Sequence, residues 1–140
     1  MVHRSASCWL PALWLVRDSM MMSSPTTTGW AVGNTGTILT TSDGGTTWSS
    51  QDGAVTSSLS ALSFVDQETG WIVGDADPGL ATILDTTDAG ATWGLQGSGT
   101  VNNLSGVDFV DGQSGWVVGE AGTILHTADA GNDWEPQGIG

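Results

Sequence analysis

The chain repeats one arrangement of residues three times, and this repetition limits its fold more than any other feature. The shared pattern is G-W-x-V-G, then T-I-L-x-T, then D-x-G-x-x-W, then x-x-Q, and the copies begin at Gly29, Gly70 and Gly115. Their first tryptophans, Trp30, Trp71 and Trp116, are spaced by 41 and 45 residues. The additional residues of the second copy form a loop insertion, D-A-D-P-G-L-A, which precedes Thr82.

Each copy predicts four short β-strands. Upstream of the second and third copies, the L-S-x-[LV]-x-F-V-D runs that contain Phe64 and Phe109 alternate apolar and polar residues, as half-buried strands do. G-W-x-V-G, T-I-L-x-T and the W-x-x-Q tail supply three more strands, and no window has a helical period. A repeat of about 40 residues with four strands is typical of β-propeller blades. We therefore expect an all-β partial or open propeller of three antiparallel repeats, the first incomplete because it lacks the L-S-x-[LV]-x-F-V-D element.

The D-x-G-x-x-W segment is predicted to form the turn between the third and fourth strands. Its aspartate can accept hydrogen bonds from backbone N–H groups of the turn, and its glycine supplies a positive φ. The threonine begins the next strand, and the tryptophan folds an apolar ring back over the hairpin. Asp133 replaces this threonine in the third copy, which predicts a looser turn there. The candidate structural residues are Asp43, Gly45, Thr47, Trp48, Asp88, Gly90, Thr92, Trp93, Asp129, Gly131 and Trp134.

These motifs resemble a known repeat and a known family. S/T-x-D-x-G-x-T-W resembles the Asp-box, or bacterial neuraminidase repeat. The combination G-W-x-V-G-x-x-G-T-I-L-x-T-x-D-G-G-x-T-W resembles the photosystem II assembly and stability factor family and its bacterial relatives, over residues 29–140. The resemblance implies a non-catalytic scaffold for protein–protein interaction. In the photosystem branch it also implies a basic patch that holds a membrane-protein subunit, for which the repeats of this chain have no matching arginines.

The charge of the chain excludes several classes of partner. It has 15 acidic residues against two basic ones, Arg4 and Arg17, and a formal net charge of -13. Such a surface repels phosphate backbones and anionic lipid, so neither nucleic-acid binding nor docking on a membrane is expected. The apolar run of residues 6–16 is too short to span a bilayer. The partner that the family resemblance implies is an unidentified protein.

The sequence contains no pattern that identifies an enzyme. Sialidases resemble one another in an arginine cluster and a tyrosine nucleophile, but this chain has no tyrosine and no arginine in its repeats. A glycosidase needs two carboxyl groups at a defined separation, and most of the acidic residues lie at expected turns. Those that could be spared are Asp66, Asp75, Asp77, Asp85, Asp108, Asp111 and Glu120. The alternative hypothesis is that the chain is a fragment of a secreted Asp-box glycoside hydrolase or carbohydrate-binding propeller.

Neither a cofactor nor a metal is expected. Asp75 begins a stretch, D-A-D-P-G, that resembles the start of a calcium loop, but Thr86 lies where a bidentate glutamate is needed. His3 and His126 are too few for a zinc site. The single cysteine, Cys8, excludes an intrachain disulfide.

We divide the chain into an atypical segment, 1–28, and three repeats, 29–57, 58–102 and 103–140. The first segment is either a degenerate export signal or the start of a truncated reading frame; a signal would place the protein in an exported, periplasmic or extracellular setting. Closed propellers have four to eight blades, so three blades leave two faces that need a neighbour. A longer gene product, a homodimer that closes a six-bladed ring, or an open arc would each meet this constraint.

Overall fold

The computed structural model describes residues 4–7, 14–17, 27–76 and 79–138, and these residues form three antiparallel sheets. The strands of the first are β1 (Arg4–Ser7), β2 (Trp14–Arg17), β3 (Gly29–Val32), β4 (Thr37–Thr41) and β5 (Ser49–Asp52). Those of the second are β6 (Leu59–Phe64), β7 (Gly70–Ala76), β8 (Ala81–Thr86) and β9 (Gly94–Gly97). Those of the third are β10 (Leu104–Phe109), β11 (Gly115–Gly119), β12 (Ile124–Thr127) and β13 (Glu135–Pro136).

The strands follow one another in each sheet in chain order, as in a propeller blade. We call the three sheets blade 1, blade 2 and blade 3. Strand β2 contacts β6, and β6 contacts β10, so the first strands of successive blades lie side by side. The expected four strands per repeat and the all-β fold are confirmed.

The first blade corrects one expectation. Its repeat lacks the L-S-x-[LV]-x-F-V-D motif, but its first-strand position is filled by β2. Arg17 pairs with Gly29 in the register that Phe64 holds with Gly70 and Phe109 holds with Gly115. Strand β1 then adds a fifth strand beside β2. Strand pairing uses backbone groups, so a segment without the motif can occupy this position.

Tight turns join the second and third strands of blades 1 and 3. Thr35 and Gly36 both have a positive φ, 55° and 70°, and the Thr37 N–H donates to the Asn34 carbonyl. Ala121 and Gly122 repeat this geometry in blade 3. Positive φ at both central residues defines the type I′ turn, whose twist matches that of a hairpin. In blade 2 the loop insertion takes the place of this turn.

Blades pack on one another through stacked aromatic rings. The Trp30 ring of blade 1 stacks on the Phe64 ring of blade 2, with centroids 3.7 Å apart. The Trp71 ring of blade 2 stacks on the Phe109 ring of blade 3 at 3.5 Å. Trp30 and Trp71 are 0% and 1% exposed, so blades 1 and 2 each bury their second-strand tryptophan under a ring of the next blade.

The glycine of G-W is explained by the same stack. A Cβ atom at Gly70 would lie about 2.5 Å from ring atoms of Phe64, and one at Gly115 about 2.6 Å from ring atoms of Phe109. The phenylalanine ring therefore lies flat on the backbone of its own second strand. Only glycine leaves room for it there.

Aliphatic side chains continue each interface. One cluster joins Val32 and Ile38 of blade 1 to Leu59, Leu62 and Leu84 of blade 2. The other joins blade 2 to blade 3, and its members are Val73, Ala81, Ile83, Leu104, Val117 and Leu125. The core of the molecule thus lies between the blades.

Several sequence-based expectations fall on residues outside the described ranges. These are His3, Cys8, the greater part of the candidate export signal, and Asp77 and Pro78 of the calcium-like stretch. The division of the chain at residue 28 stays a prediction. Among the described residues, no helix is long and apolar enough to cross a membrane.

Candidate functional site

The first Asp-box is held together by the two oxygens of one carboxylate. Asp43 Oδ1 accepts hydrogen bonds from the Thr47 N–H at 2.9 Å and the Thr41 hydroxyl at 2.8 Å. Asp43 Oδ2 accepts one from the Thr47 hydroxyl at 2.6 Å. Thr41 Oγ1 also accepts the Gly45 N–H at 3.0 Å. The aspartate closes its own turn, as the sequence predicts.

The other two boxes repeat this geometry with one difference. Asp88 accepts hydrogen bonds from the Thr86 hydroxyl and from the N–H and hydroxyl of Thr92. Asp129 keeps the bonds from the Thr127 hydroxyl and the Asp133 N–H, but Asp133 has no hydroxyl to donate. The Asn132 amide instead donates to the Asp129 carbonyl at 3.0 Å. The expected looser turn thus loses one hydrogen bond and gains another.

These hydrogen bonds favour the ionised form of each box aspartate. The Thr47 hydroxyl, the Thr47 N–H and the Thr41 hydroxyl lower the pKa of Asp43 from 3.8 to about 2. Equivalent donors, led by the Thr92 hydroxyl and by the Asp133 N–H, lower the pKa of Asp88 and of Asp129. Each of these carboxylates accepts its hydrogen bonds from donors of its own turn.

The glycines of the boxes serve a second purpose that the sequence did not reveal. Gly45, Gly90 and Gly131 have φ of 96°, 86° and 90°, so the predicted positive φ is confirmed. A Cβ atom at Gly90 would also overlap the side-chain amide of Gln51, and one at Gly131 that of Gln96. At Gly45 it would meet only Trp48 of the same turn, 3.8 Å away. The second and third turns are therefore contact surfaces for the preceding blade.

A repeated glutamine makes that contact. The Gln51 amide of blade 1 donates to the Ala89 carbonyl of blade 2 at 3.1 Å, and Gln96 of blade 2 donates to the Ala130 carbonyl of blade 3 at 3.0 Å. The sequence analysis included this glutamine in the repeat but predicted no contact for it. Its recurrence three residues after the box tryptophan of every copy is the feature that could have indicated the contact.

The box tryptophans pack within their own blades. The Trp93 ring meets the Phe64 ring edge-on at 6.1 Å, and the Trp134 ring meets Phe109 at 5.9 Å. Each phenylalanine is thus stacked on one face by the preceding blade and touched by its own box tryptophan. The box tryptophan therefore contacts the phenylalanine that also forms the stack between blades, in addition to covering its own hairpin as predicted.

The second interface is better hydrogen-bonded than the first. Trp71 Nε1 donates to the Ala130 carbonyl at 3.1 Å, and Trp134 Nε1 donates to Gln96 Oε1 at 3.2 Å. At the first interface the corresponding atoms are buried without a hydrogen-bond partner among the described residues; they are Trp30 Nε1, Trp93 Nε1 and Gln51 Oε1. The hydrogen bonds that Trp71 and Trp134 make at the second interface therefore have no equivalent at the first.

A groove of about 350 Å³ opens between blade 1 and blade 2. Its lining consists of Val55, Leu80, Ala81, Thr82, Leu95, Gln96 and Gly97. Leu95 is 71% exposed and Leu80 is 51% exposed. Ser50 and Pro136 hold the position of Leu95 in the other repeats, and Leu80 belongs to the loop insertion of the second repeat. The two exposed leucines of the groove therefore depart from the repeat, whereas Thr82 and Gln96 of its lining belong to it.

The acidic residues outside the boxes are distributed over several turns and strands. Asp66 Oδ1 accepts the N–H groups of Glu68 and Thr69, and Asp111 Oδ1 accepts those of Gln113 and Ser114. Burial raises the pKa of Asp85 on β8. No group of three or more described histidine and acidic residues has the geometry to hold a metal ion.

The comparisons with known proteins agree with this architecture. The family model for the photosynthesis system II assembly factor YCF48 matches residues 14–95 and 53–139. The chain belongs to this family. No curated protein matches the chain.

Two solved structures have the same fold. YCF48 bound to D1 peptide is 23% identical, with a TM-score of 0.68 over 94% of this chain and 44% of that chain. YCF48 from Cyanidioschyzon merolae is 22% identical, with a TM-score of 0.69 over 97% of this chain and 43% of that chain. The chain spans less than half of the length of the solved structures that it matches. The likeness shows a partial propeller of the expected type.

Alanine variants of two box glycines distinguish the stability of the turn itself from the stability of the contact between blades. Alanine at Gly45 or Gly90 is held at positive φ, which we expect to lower the free energy of unfolding by about 1–2 kcal/mol in either variant. Gly90→Ala also displaces the Gln51 amide from the Ala89 carbonyl, which we expect to cost a further 0.5–1.5 kcal/mol or so. Urea unfolding of the two variants measures this difference. Equal losses would contradict the role of Gly90 as a contact surface.

Two aspartates should affect the acid stability of the fold in opposite senses. The pKa of Asp43 is lowered, so its carboxylate stabilises the fold above about pH 4, and this contribution is lost as the pH falls towards about 2. The pKa of Asp85 is raised, so its ionisation opposes folding once the pH exceeds its folded pKa.

We therefore expect Asp43→Asn to be less stable than the native chain at pH 7, and Asp85→Asn to be more stable. Both differences should shrink as the pH falls below the ordinary aspartate range, because the native carboxyl groups become neutral. Thermal unfolding between neutral and acid pH measures them. A difference of the same sign for both variants would contradict the assignment.

Proposed function

We propose that the chain is a non-catalytic, protein-binding propeller scaffold of the photosystem II assembly factor type. Membership of the YCF48 family supports this role. The observation that carries it is the exposed apolar groove between blades 1 and 2, because two exposed leucines of its lining, Leu80 and Leu95, are not part of the repeated pattern. An apolar groove beside an exposed strand suits an extended peptide.

The ligand proposed is a peptide segment of a membrane-protein subunit. The solved YCF48 that binds a D1 peptide supports a peptide as ligand. Strand β9 is the outer strand of its sheet, so its backbone can pair with an added strand. Leu95 on β9 and Leu80 beside it supply apolar contacts for alternate side chains of such a strand.

The charge of the chain selects among peptides. No lysine is present and both arginines precede residue 18, so the repeats supply acidic groups only. A ligand with lysine or arginine beside its apolar residues is favoured over an acidic one. The interaction differs here from the basic patch that the family resemblance implies.

The hydrogen bonding of the acidic residues supports a non-catalytic role. Glycoside hydrolysis needs a carboxyl group with a raised pKa opposite a second carboxylate. The carboxylates of the boxes have lowered pKa values because they accept several hydrogen bonds from their own turns. Their chemistry is that of structural groups.

We also propose that the protein acts in an exported or periplasmic setting, where folded parts of membrane-protein subunits are accessible. The basic and apolar start of the chain supports this setting. Fractionation of the cells that make the protein tests it, since recovery with cytoplasmic markers alone would contradict export.

Peptide binding should depend on the leucines of the groove. We expect the native chain to bind a fluorescent D1 peptide, and to bind a lysine-substituted peptide more tightly than a glutamate-substituted one. Leu95→Ser should weaken binding by about tenfold or more, because one buried leucine contributes about 1.5–3 kcal/mol. Fluorescence anisotropy gives the dissociation constants.

A matched control is Val110→Ser, which removes an exposed apolar residue of blade 3 that does not line the groove. Its affinity should equal that of the native chain. An equal loss in both variants would contradict the groove as the binding site. Retention of polysaccharide without any peptide binding would favour the carbohydrate-binding alternative.

A further inference from the structure

The two interfaces between blades are built from the same two halves. The donor half belongs to the preceding blade and consists of its second-strand tryptophan and its tail glutamine, as in Trp71 and Gln96. The acceptor half belongs to the following blade and includes the Asp-box turn with its carbonyl, glycine and tryptophan, as in Ala130, Gly131 and Trp134. Each half can therefore be identified in any blade from these residues.

Blade 3 carries a donor half that no described blade covers. Trp116 is 41% exposed and Val118 is 45% exposed, whereas their counterparts in blades 1 and 2 are almost wholly buried. The Trp116 ring lies 4.7 Å from the His126 ring of its own sheet at a tilt of 37°, in place of a stacked phenylalanine. Gln137 is exposed, and its side-chain amide donates to the Glu135 carbonyl of β13.

Blade 1 carries an acceptor half that no described blade covers. Trp48 is 38% exposed, and Gly44 and Gly45 have no side chain of another blade within 4 Å of the position of a Cβ atom. Gly44 holds the position of Ala89 and Ala130, whose carbonyls accept the glutamine amides. Its φ of 73° gives the turn the same shape as theirs.

We propose that two copies of this chain associate head to tail, with blade 3 of one copy packed on the Asp-box turn of blade 1 of the other. Gln137 then donates to the Gly44 carbonyl, Trp48 Nε1 donates to Gln137 Oε1, and Trp116 is covered. The occupant is a second copy because one chain carries both unmatched halves. The association goes beyond peptide capture and does not involve the groove between blades 1 and 2.

The geometry of this contact is heterologous, since the two halves lie on different blades. Such contacts form a closed ring if the rotation permits, and an open chain otherwise. Two copies supply six blades, which is within the four to eight of closed propellers. Two identical contacts would then hold the dimer.

Two features set the strength of the contact. Both phenylalanines of the chain lie in blades 2 and 3, so the acceptor half of blade 1 lacks the ring that covers Trp30 and Trp71. The two copies also repel one another, because each has a formal net charge of -13. The dimer should therefore depend on concentration and be strengthened by salt, which screens the repulsion.

Complementary variants test the proposal. Trp116→Ala removes the donor half and Trp48→Ala removes the acceptor half. Sedimentation velocity should show concentration-dependent dimers or larger species for the native chain at moderate salt, and monomers for either variant alone. An equimolar mixture of the two variants should again form dimers, since each supplies the half that the other lacks.

Three results would overturn the proposal: a native chain that stays monomeric at every concentration and salt, association that survives in the single variants, or a mixture that stays monomeric. Circular dichroism checks that each variant is folded. If Trp116→Ala does not fold, the exposed Gln137→Ala replaces it and should weaken association at least severalfold. Val101→Ala, which removes an exposed valine outside both halves and outside the groove, should associate like the native chain.

Discussion

Blades 1 and 2 each bury their second-strand tryptophan beneath a phenylalanine of the next blade, and the rest of the fold follows from this stack. The ring of Phe64 or Phe109 lies on the second strand of its own blade, so that strand must begin with glycine. The box tryptophan then touches the edge of the same ring. Stability in such an array comes largely from contacts between neighbours, so no blade is independent of the next.

The Asp-box is a connector in this architecture. Its aspartate shapes a turn that presents one carbonyl and one bare glycine surface to the glutamine of the preceding blade. The carboxylates of the three boxes therefore serve to shape turns. Function must then be sought on residues that the repeat does not require.

Local chemistry made part of the fold predictable from sequence. The four strands, the positive φ of Gly45 and the hydrogen bonds of Asp43 all follow from short-range patterns. The role of Gln51 and the partner of Trp30 did not, because both depend on which face of a strand meets the next blade. The strand Trp14–Arg17 was missed because backbone pairing leaves no motif.

The two kinds of exposed apolar residue carry different meanings. Leu95 stands where the other repeats have serine and proline, so no rule of blade assembly requires it, and it is 71% exposed. Trp116 keeps the repeat and is exposed because no described blade covers it. In the two proposals made above, the first kind of residue belongs to a ligand-binding surface and the second kind to a blade interface.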